Sequence, residues 1–258
     1  MSITQSIILG LVEGMTEFLP VSSTGHLIIT SELLGVPQTK NHITYEVIIQ
    51  LSALLAMMTT YRERFRVKYA ALWLKVIISF IPIGVVGFIL KGALKELFTA
   101  KVVPLMFIVG GIAFLWVEYH LKNRDPVTCS LDEITYGQAA VIGLVQVFSL
   151  IPGTSRAGST ILGASLVGVS RTVSAEFSFI LALPVILVSS GYVYISGGPP
   201  NFFIEGELLP CLVGLVTSYI TAWLVMKTFL SFLNRFTFNF FGVYRIVFGL
   251  FLQLWLSR

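Results

Sequence analysis

The chain has 258 residues, of which 55% are hydrophobic and only 12% are charged, and its mean hydropathy is +0.87. Soluble domains carry about 25% charged residues, so this composition excludes an ordinary soluble protein and indicates an integral membrane protein. The formal net charge of +4 is small, and we expect no nucleic-acid partner. Because the apolar stretches are too long for strands and lack a two-residue alternation, the expected fold is all-α and polytopic.

Eight apolar stretches organise the chain, and they fall into two kinds. Six are long enough to cross a bilayer as helices, which takes roughly 20 residues, and they lie near 43–61, 70–90, 102–120, 174–195, 208–230 and 238–257. The other two, 3–35 and 135–169, are each interrupted midway by a polar cluster around a proline, Pro20 or Pro152. Irregular backbone is tolerated at membrane depth only where protein or a wet cavity covers it. Both interrupted stretches are therefore predicted to be re-entrant helix hairpins.

The two interrupted stretches also resemble each other. The letters G-L-V-E at 10–13 precede the first break and G-L-V-Q at 143–146 precede the second, while P-V-S-S at 20–23 aligns with P-G-T-S at 152–155. Three predicted crossings separate the two stretches, and an odd number gives the halves opposite orientations. Interrupted segments in corresponding positions of inverted halves predict a binding site where the two tips meet. Chance similarity between membrane turns rich in Gly, Ser and Pro is the alternative.

The predicted organisation is a single integral membrane domain, 1–258, with inverted repeats of roughly 1–120 and 135–258. The loop Lys and Arg residues predict its orientation, because cytoplasmic loops are enriched in both. Ten lie on one side: Arg62, Arg64, Arg66, Lys68, Lys75, Lys122, Arg124, Arg171, Lys227 and Arg235. Five lie on the other: Lys40, Lys91, Lys95, Lys101 and Arg258. The first side is expected to be cytoplasmic, which places both termini and the mouth of the first hairpin outside.

Two carboxylates in the first hairpin predict a cation site. Glu13 and Glu17 are four residues apart, so a helix stacks them on one face, where their like charges repel. A bound cation or a shared proton would relieve this repulsion. We predict a divalent cation, Mg²⁺ or Ca²⁺, because both ions prefer oxygen ligands. The alternatives are a proton relay and a protonated glutamate with a structural role.

The residues around the two breaks complete a predicted site for phosphoryl chemistry. Ser23 is the predicted nucleophile, and His26, one helical turn further on, could accept its proton or protonate a leaving oxygen. Arg156 is predicted to bind non-bridging phosphate oxygens, with a salt bridge to Glu13 or Glu17 as the alternative. Hydroxyls or close backbone approach are expected from Ser22, Thr24, Gly25, Ser155 and Gly158. Supporting positions are predicted at Glu46, Gln50, Gln146 and Glu176, and Arg245 is a further candidate because it lies in apolar context.

These motifs resemble those of a known family. The run from Glu13 to His26, E-G-M-T-E-F-L-P-V-S-S-T-G-H, is similar to the signature E-G-x-T-E-F-L-P-V-S-S-T-G-H of bacterial undecaprenyl-diphosphate phosphatases, the BacA-type bacitracin-resistance proteins. The run from Pro152, P-G-T-S-R-A-G-S-T, resembles their second motif, P-G-x-S-R-S-G-x-T. A third stretch matches G-V-S-R at 168–171 and E-F-S-F at 176–179. The resemblance extends over essentially the whole chain.

The resemblance implies six membrane spans with two opposed re-entrant hairpins in the bacterial inner (plasma) membrane. It implies hydrolysis of the C55 isoprenyl diphosphate to the monophosphate and inorganic phosphate, which recycles the lipid carrier for cell-wall synthesis. The functional set of the family corresponds here to Glu13, Glu17, Ser23, His26 and Arg156. The chain departs from the family at Ala157, where serine is usual, and in a shorter loop after Arg66.

Two other function classes compete with a membrane phosphatase. A transporter or flippase of the lipid carrier would also use inverted repeats with broken helices, but a carrier needs no nucleophile such as Ser23. A channel would have polar residues along a continuous path, whereas here they are concentrated at two tips. The sequence leaves the oligomeric state open, with a homodimer as one alternative.

Overall fold

The computed structural model describes residues 1–97, 102–197 and 208–256. Within these ranges the chain is helical, and the β-structure there amounts to one isolated bridge between Thr128 and Val169. Two basic residues used for the predicted orientation, Lys101 and Arg258, lie outside the described residues.

The described part of the chain forms ten α-helices. In chain order they are α1 (Ile3–Thr16), α2 (Ser23–Leu33), α3 (Lys40–Thr60), α4 (Ala70–Leu97), α5 (Val102–Leu121), α6 (Tyr136–Gln146), α7 (Arg156–Leu166), α8 (Arg171–Gly197), α9 (Leu208–Leu233) and α10 (Asn239–Trp255). Short 3-10 helices occupy Arg62–Phe65, Val67–Tyr69 and Val147–Leu150.

Five of the described helices, α3, α4, α5, α8 and α9, are long and apolar enough to cross a membrane. Large apolar side chains such as Phe88, Val247 and Leu254 are exposed, as expected where helices face lipid rather than water. The protein is therefore an all-α, multi-pass membrane protein, as predicted. The sixth predicted crossing coincides with α10, which has 17 residues and is shorter than the other five.

Both interrupted stretches fold as two short helices joined by an irregular turn. α1 and α6 both begin with a capping box. In each box the hydroxyl of the N-cap residue accepts from the backbone N–H of a glutamine three residues later, and the glutamine side chain accepts from the backbone N–H of the N-cap residue. The pairs are Ser2 with Gln5 and Thr135 with Gln138. The prolines Pro20 and Pro152 lie in the turns between the paired helices. α1 contacts α2 and α6 contacts α7, so the polar residues of each stretch lie at the turn, or tip, between two packed helices.

Close backbone packing positions both hairpins. α1 packs against α9, and α6 packs against α4. Gly10 of α1 and Gly143 of α6 make these approaches feasible: a Cβ atom on Gly10 would lie 2.7 Å from the carbonyl oxygen of Gly214, and one on Gly143 would lie 2.5 Å from that of Ser79. Any larger residue would force the helices apart. Each hairpin is thus held against a long helix from the other half of the chain.

Candidate active site

The tips of the two hairpins meet at one cavity of about 180 Å³. The first hairpin contributes four of the predicted residues to its lining: Glu17, Ser22, Ser23 and Thr24. The second hairpin contributes Ser149, Leu150, Pro152, Gly153, Ser155 and Arg156. Helices α3 and α8 close the remaining sides with Gln50, Val185, Ile186 and Ser189. The structure therefore brings together residues from both interrupted motifs in one cavity.

A strained backbone conformation marks each tip. Ser22 and Ser155 have φ values of +70° and +75°, and they are the described non-glycine residues in the left-handed region. Such a conformation costs of order 1–3 kcal/mol and persists only where surrounding contacts enforce it. Each strained serine directly precedes the first residue of a helix, Ser23 of α2 or Arg156 of α7. The strain thus lies next to the two side chains with the clearest chemistry.

The carboxylate of Glu17 connects those two side chains. Its Oε2 accepts a 2.6 Å hydrogen bond from the Ser23 hydroxyl, and its Oε1 forms a 3.1 Å ion pair with Nη2 of Arg156. The amide of Gln50 approaches Oε2 at 3.5 Å. The proton acceptor nearest to Ser23 is thus a glutamate, and the salt bridge that was the alternative role of Arg156 is present. A carboxylate that bonds both a hydroxyl and a guanidinium can polarise the first while the second neutralises its charge.

Arg156 is held firmly by the protein and still faces the cavity. Its Nη1 donates to the carbonyl oxygen of Ser178 at 2.8 Å, and Nη2 also approaches the backbone oxygen of Glu17 at 3.3 Å. Nε is buried and has no hydrogen-bond partner among the described residues. These contacts use three of the five N–H donors of the guanidinium. The donors that remain suit an anion with several acceptor oxygens, such as a phosphate group.

Glu13 lies behind Glu17 and does not line the cavity. It is 0% exposed, and neither carboxylate oxygen receives a hydrogen bond from a described donor. Burial of a charged carboxylate without a partner is costly, and the neighbouring carboxylates of Glu17 and Glu46 add repulsion. Such a set of oxygens fits a divalent cation or a shared proton. No group of three or more His, Cys, Asp and Glu suited to a metal ion occurs in the described ranges, so a cation would need water or phosphate oxygens to complete its coordination.

His26 points away from the cavity towards α10. Its Nδ1 bonds the carbonyl oxygen of Ser22 at 2.8 Å, and its Nε2 lies 2.7 Å from the hydroxyl of Tyr244. The ring stacks on Phe248, with centroids 4.5 Å apart and an angle of 4° between the planes. In the structure the imidazole is engaged on both nitrogens, and the hydroxyl of Ser23 is bonded to Glu17 instead. The predicted acid–base role of His26 therefore stays a prediction, without a contact to Ser23 to support it.

Some of the remaining predicted residues line the cavity, and others serve helix capping or packing. Ser155 lines the cavity, while its hydroxyl caps α7 by accepting from the backbone N–H of Gly158 at 3.0 Å. Gly25 is required for packing, because a Cβ atom there would lie 2.4 Å from the ring of Phe107. Ala157, where the family usually has serine, is 1% exposed and does not line the cavity.

Three of the four predicted supporting residues lie outside the lining, and only Gln50 contributes to it. Glu46 pairs with His42 at 3.1 Å, Gln146 donates to the carbonyl oxygen of Ser79 at 3.3 Å, and the carboxylate of Glu176 lies 3.5 Å from the hydroxyl of Tyr61.

Arg245 connects the turns of the two hairpins by hydrogen bonds and does not line the cavity. It is 0% exposed, and its guanidinium donates 3.0 Å hydrogen bonds to the backbone oxygens of Pro20, Met106 and Gly153. The sequence marked Arg245 as a candidate because a charge is costly in apolar context, but its partners could not be predicted. Tyr244, the adjacent residue, and the cavity serines Ser149 and Ser189 were not predicted at all. Their residue types are common in membrane helices and carry no signal alone.

Comparisons with known proteins agree with these observations. A family model described as "Bacitracin resistance protein BacA" matches residues 6–251. The undecaprenyl-diphosphatase of Sulfurimonas denitrificans is 52% identical over 258 residues, which is 100% of both chains. Undecaprenyl-diphosphatase 2 of Pseudoalteromonas translucida is 49% identical over 252 residues, or 98% of each chain. The undecaprenyl-diphosphatase of Sulfurovum sp. is 48% identical over 254 residues, or 98% of this chain and 99% of the relative. Because the match extends over nearly the full length of the chain and its relatives, the protein belongs to the BacA family.

Proposed function

We propose that the protein is a membrane phosphatase that hydrolyses undecaprenyl diphosphate to undecaprenyl phosphate and inorganic phosphate. In this role it recycles the lipid carrier used for cell-wall synthesis and confers resistance to bacitracin. The names of the similar proteins support the substrate. The observation that carries the reaction type is the Ser23 hydroxyl bonded to Glu17 in a cavity that it shares with Arg156.

In the proposed reaction the terminal phosphate enters the cavity between the two tips. The Ser23 oxygen attacks its phosphorus, the bond from that phosphorus to the bridging oxygen breaks, and undecaprenyl phosphate leaves. Glu17 accepts the proton of Ser23, since its Oε2 is already 2.6 Å from the hydroxyl oxygen. Water then cleaves the phosphoserine and releases inorganic phosphate. Arg156 exchanges part of its contact with Glu17 for the non-bridging oxygens, where negative charge must be stabilised.

Direct attack by water is the alternative to a phosphoserine. In that route Ser23 and Glu17 would orient the water molecule, and no covalent intermediate would form. The two routes consume the same single water molecule and give the same products. Acid quenching during turnover, followed by mass spectrometry of the peptide that contains Ser23, separates them, because only the covalent route adds a phosphoryl group to this peptide.

A divalent cation is part of the proposal. Glu17 and Glu13 would hold Mg²⁺ or Ca²⁺, because their carboxylates adjoin and both oxygens of Glu13 lack a donor in the described structure. When bound, the ion would neutralise charge on the phosphate oxygens. Arg156 would then supply the second positive charge, from the opposite hairpin.

We also propose that α10 is a sixth crossing. The six crossings and two re-entrant hairpins would then form inverted repeats. Both termini and the mouth of the active site would lie on the outer side of the inner membrane. The ten-to-five division of loop Lys and Arg residues supports the orientation. The paired capping boxes and the pairing of α1 with α9 and α6 with α4 support the repeat. An outward mouth would admit diphosphate lipid released where the polymer is assembled.

Phosphate release from purified protein tests the proposal. Undecaprenyl diphosphate in detergent micelles should release inorganic phosphate with wild-type protein and with Thr228→Ala, an exposed hydroxyl variant on α9. Release should stop with Ser23→Ala. The flippase alternative predicts the opposite pattern, namely movement of the lipid between leaflets of a vesicle without release of phosphate. The names of the relatives give that alternative no support.

A further inference from the structure

Tyr244 of α10 forms a contact that the proposed chemistry leaves unexplained. Its hydroxyl lies 2.7 Å from Nε2 of His26. Tyr244, His26 and Phe248 form a parallel stack in which the His26 ring lies 8° from the plane of Tyr244 and 4° from that of Phe248. Neither Tyr244 nor His26 lines the cavity, although Ser22 and Ser23 do. The hydroxyl of Tyr244 therefore connects to the cavity through its hydrogen-bond partner, His26.

The hydrogen-bond partners determine which nitrogen of the neutral His26 ring carries the proton. The carbonyl oxygen of Ser22 can only accept, so Nδ1, 2.8 Å away, must donate to it. Nε2 of the neutral ring is then an acceptor, and the hydroxyl of Tyr244 must be its donor. A donor at Nε2 favours the tautomer with the proton on Nδ1. Tyr244 thus selects the form of His26 that can bind the Ser22 carbonyl.

The Ser22 carbonyl belongs to the strained residue at the first tip. With φ at +70° and ψ at 91°, Ser22 needs external contacts to hold its conformation. Its N-cap side chain forms no capping hydrogen bond to α2. Its carbonyl oxygen accepts from Nδ1 of His26 and, at 3.4 Å, from the backbone N–H of the same residue. The next residue is Ser23, so rotation of this peptide would move the hydroxyl away from Glu17.

We propose that Tyr244 is a positioning residue for the phosphatase reaction, which acts through the Nδ1 proton of His26 on the Ser22 turn and thereby on the Ser23 hydroxyl. The inference rests on the proposed function. It gives His26 the task of holding the turn through Nδ1, and it leaves proton acceptance to Glu17. A displacement of about 1 Å at a reacting atom can cost on the order of 100-fold in rate, so a contact outside the cavity can control turnover.

The first test is Tyr244→Phe, which removes one hydroxyl and keeps the stacked ring. We expect kcat for undecaprenyl diphosphate to fall about 10-fold, equivalent to one lost hydrogen bond, while KM changes less than about 2-fold because the lining is intact. The matched control is Tyr219→Phe, which removes an exposed 2.8 Å bond to Thr59, a residue outside the cavity lining, and should leave both constants unchanged. An unchanged kcat in Tyr244→Phe, or a rise in KM alone, would overturn the inference.

The second test separates the two nitrogens of His26. In His26→Asn the side-chain amide can place an N–H near the position of Nδ1, whereas in His26→Gln the amide reaches the position of Nε2. We expect His26→Asn to retain at least about 10-fold more activity than His26→Gln, since only the former preserves the bond to Ser22. Adding Tyr244→Phe to His26→Asn should cost nothing further, because the partner nitrogen is gone.

Equal loss in both His26 variants, or greater activity in His26→Gln, would contradict the inference and favour acid–base chemistry at Nε2. These outcomes differ from a failure of the proposed function, in which wild-type protein itself would release no phosphate from undecaprenyl diphosphate. Elution as a single species from a sizing column is required of each variant before its rate is compared.

Discussion

Glu17 and Arg156 form a 3.1 Å ion pair although 139 residues separate them in the chain. The pair joins the turn of the first hairpin to the start of α7 in the second. With side chains 4% and 11% exposed, it is shielded from the solvent that weakens surface salt bridges. A phosphate group that enters the cavity would meet this pair and the Ser23 hydroxyl at once, so the residues that hold the tips together also form the reaction site.

Replacement of the Ser23 hydroxyl should abolish turnover. In Ser23→Ala the nucleophile and the donor to Glu17 are both lost, so kcat should fall by at least about 10³-fold. Binding should persist, because Arg156 remains in the cavity. Phosphate release and binding of a non-hydrolysable diphosphate lipid should be measured together. Rapid turnover by Ser23→Ala would eliminate Ser23 as the nucleophile.

The guanidinium of Arg156 should not be replaceable by an ammonium group. Arg156→Lys keeps the charge but loses the fork that bonds Ser178 and Glu17 together. We expect kcat/KM to decrease about 100-fold, the usual effect of one lost donor to transition-state charge. Arg66→Lys, at an exposed ion pair with Glu63, is the matched control and should behave like wild type. Similar kinetics for Arg156→Lys and wild type would mean that a point charge is sufficient.

The carboxylates should make the activity dependent on a divalent cation. Glu17→Gln keeps the shape of the side chain but loses both the charge that binds a hard cation and the acceptor of the Ser23 proton. Turnover should therefore be lost while the protein still elutes as a folded species, and EDTA should inactivate wild type until Mg²⁺ or Ca²⁺ is restored. The exposed Glu32→Gln variant should respond to EDTA as wild type does. If EDTA-treated wild type and Glu17→Gln both stay fully active, the carboxylates serve another purpose.

Arg245 should contribute to stability more than any surface arginine. Arg245→Met would leave the backbone oxygens of Pro20, Met106 and Gly153 buried without their donor. Each lost partner costs about 1–3 kcal/mol, so we expect a destabilisation of at least about 3 kcal/mol, measured by thermal unfolding in detergent. The exposed Arg235→Met variant should unfold at the wild-type temperature. An unchanged unfolding temperature for Arg245→Met would mean that other contacts hold the tips.

Cysteine labelling tests the orientation. Cys129 is exposed and Cys211 is buried, so the parent protein should carry Cys129→Ser and show no labelling on its own. A single cysteine at the exposed Lys40 should react with a membrane-impermeant maleimide in intact cells, and one at the exposed Lys68 should react only after lysis. The reverse pattern would overturn the orientation and the inference about which pool of lipid reaches the site. A single cysteine at Asn201 should also react from outside, and this position lies outside the described residues.

The sequence by itself determined the class of fold and the part of the site that the first hairpin contributes. Long apolar segments can satisfy their backbone within a membrane only as helices, which is why α3, α4, α5, α8 and α9 were predictable. Glu17, Ser22, Ser23 and Thr24 lie within eight consecutive residues around one turn, so proximity along the chain alone brought them to one cavity. The resemblance of the second tip to the first was enough to predict that Arg156 would join them.

Only the tertiary structure decided which partners the polar side chains find when those partners are distant in the sequence. His26 is one turn from Ser23, yet it bonds Tyr244, 218 residues away, because α10 brings the side chains of Tyr244 and Phe248 against its ring. Arg245 bonds three backbone oxygens from three different segments, and backbone acceptors have no signature in sequence. A periodic pattern determines which residues form a helix, but the helix that packs beside it determines which of their polar atoms find partners and which remain free for a substrate.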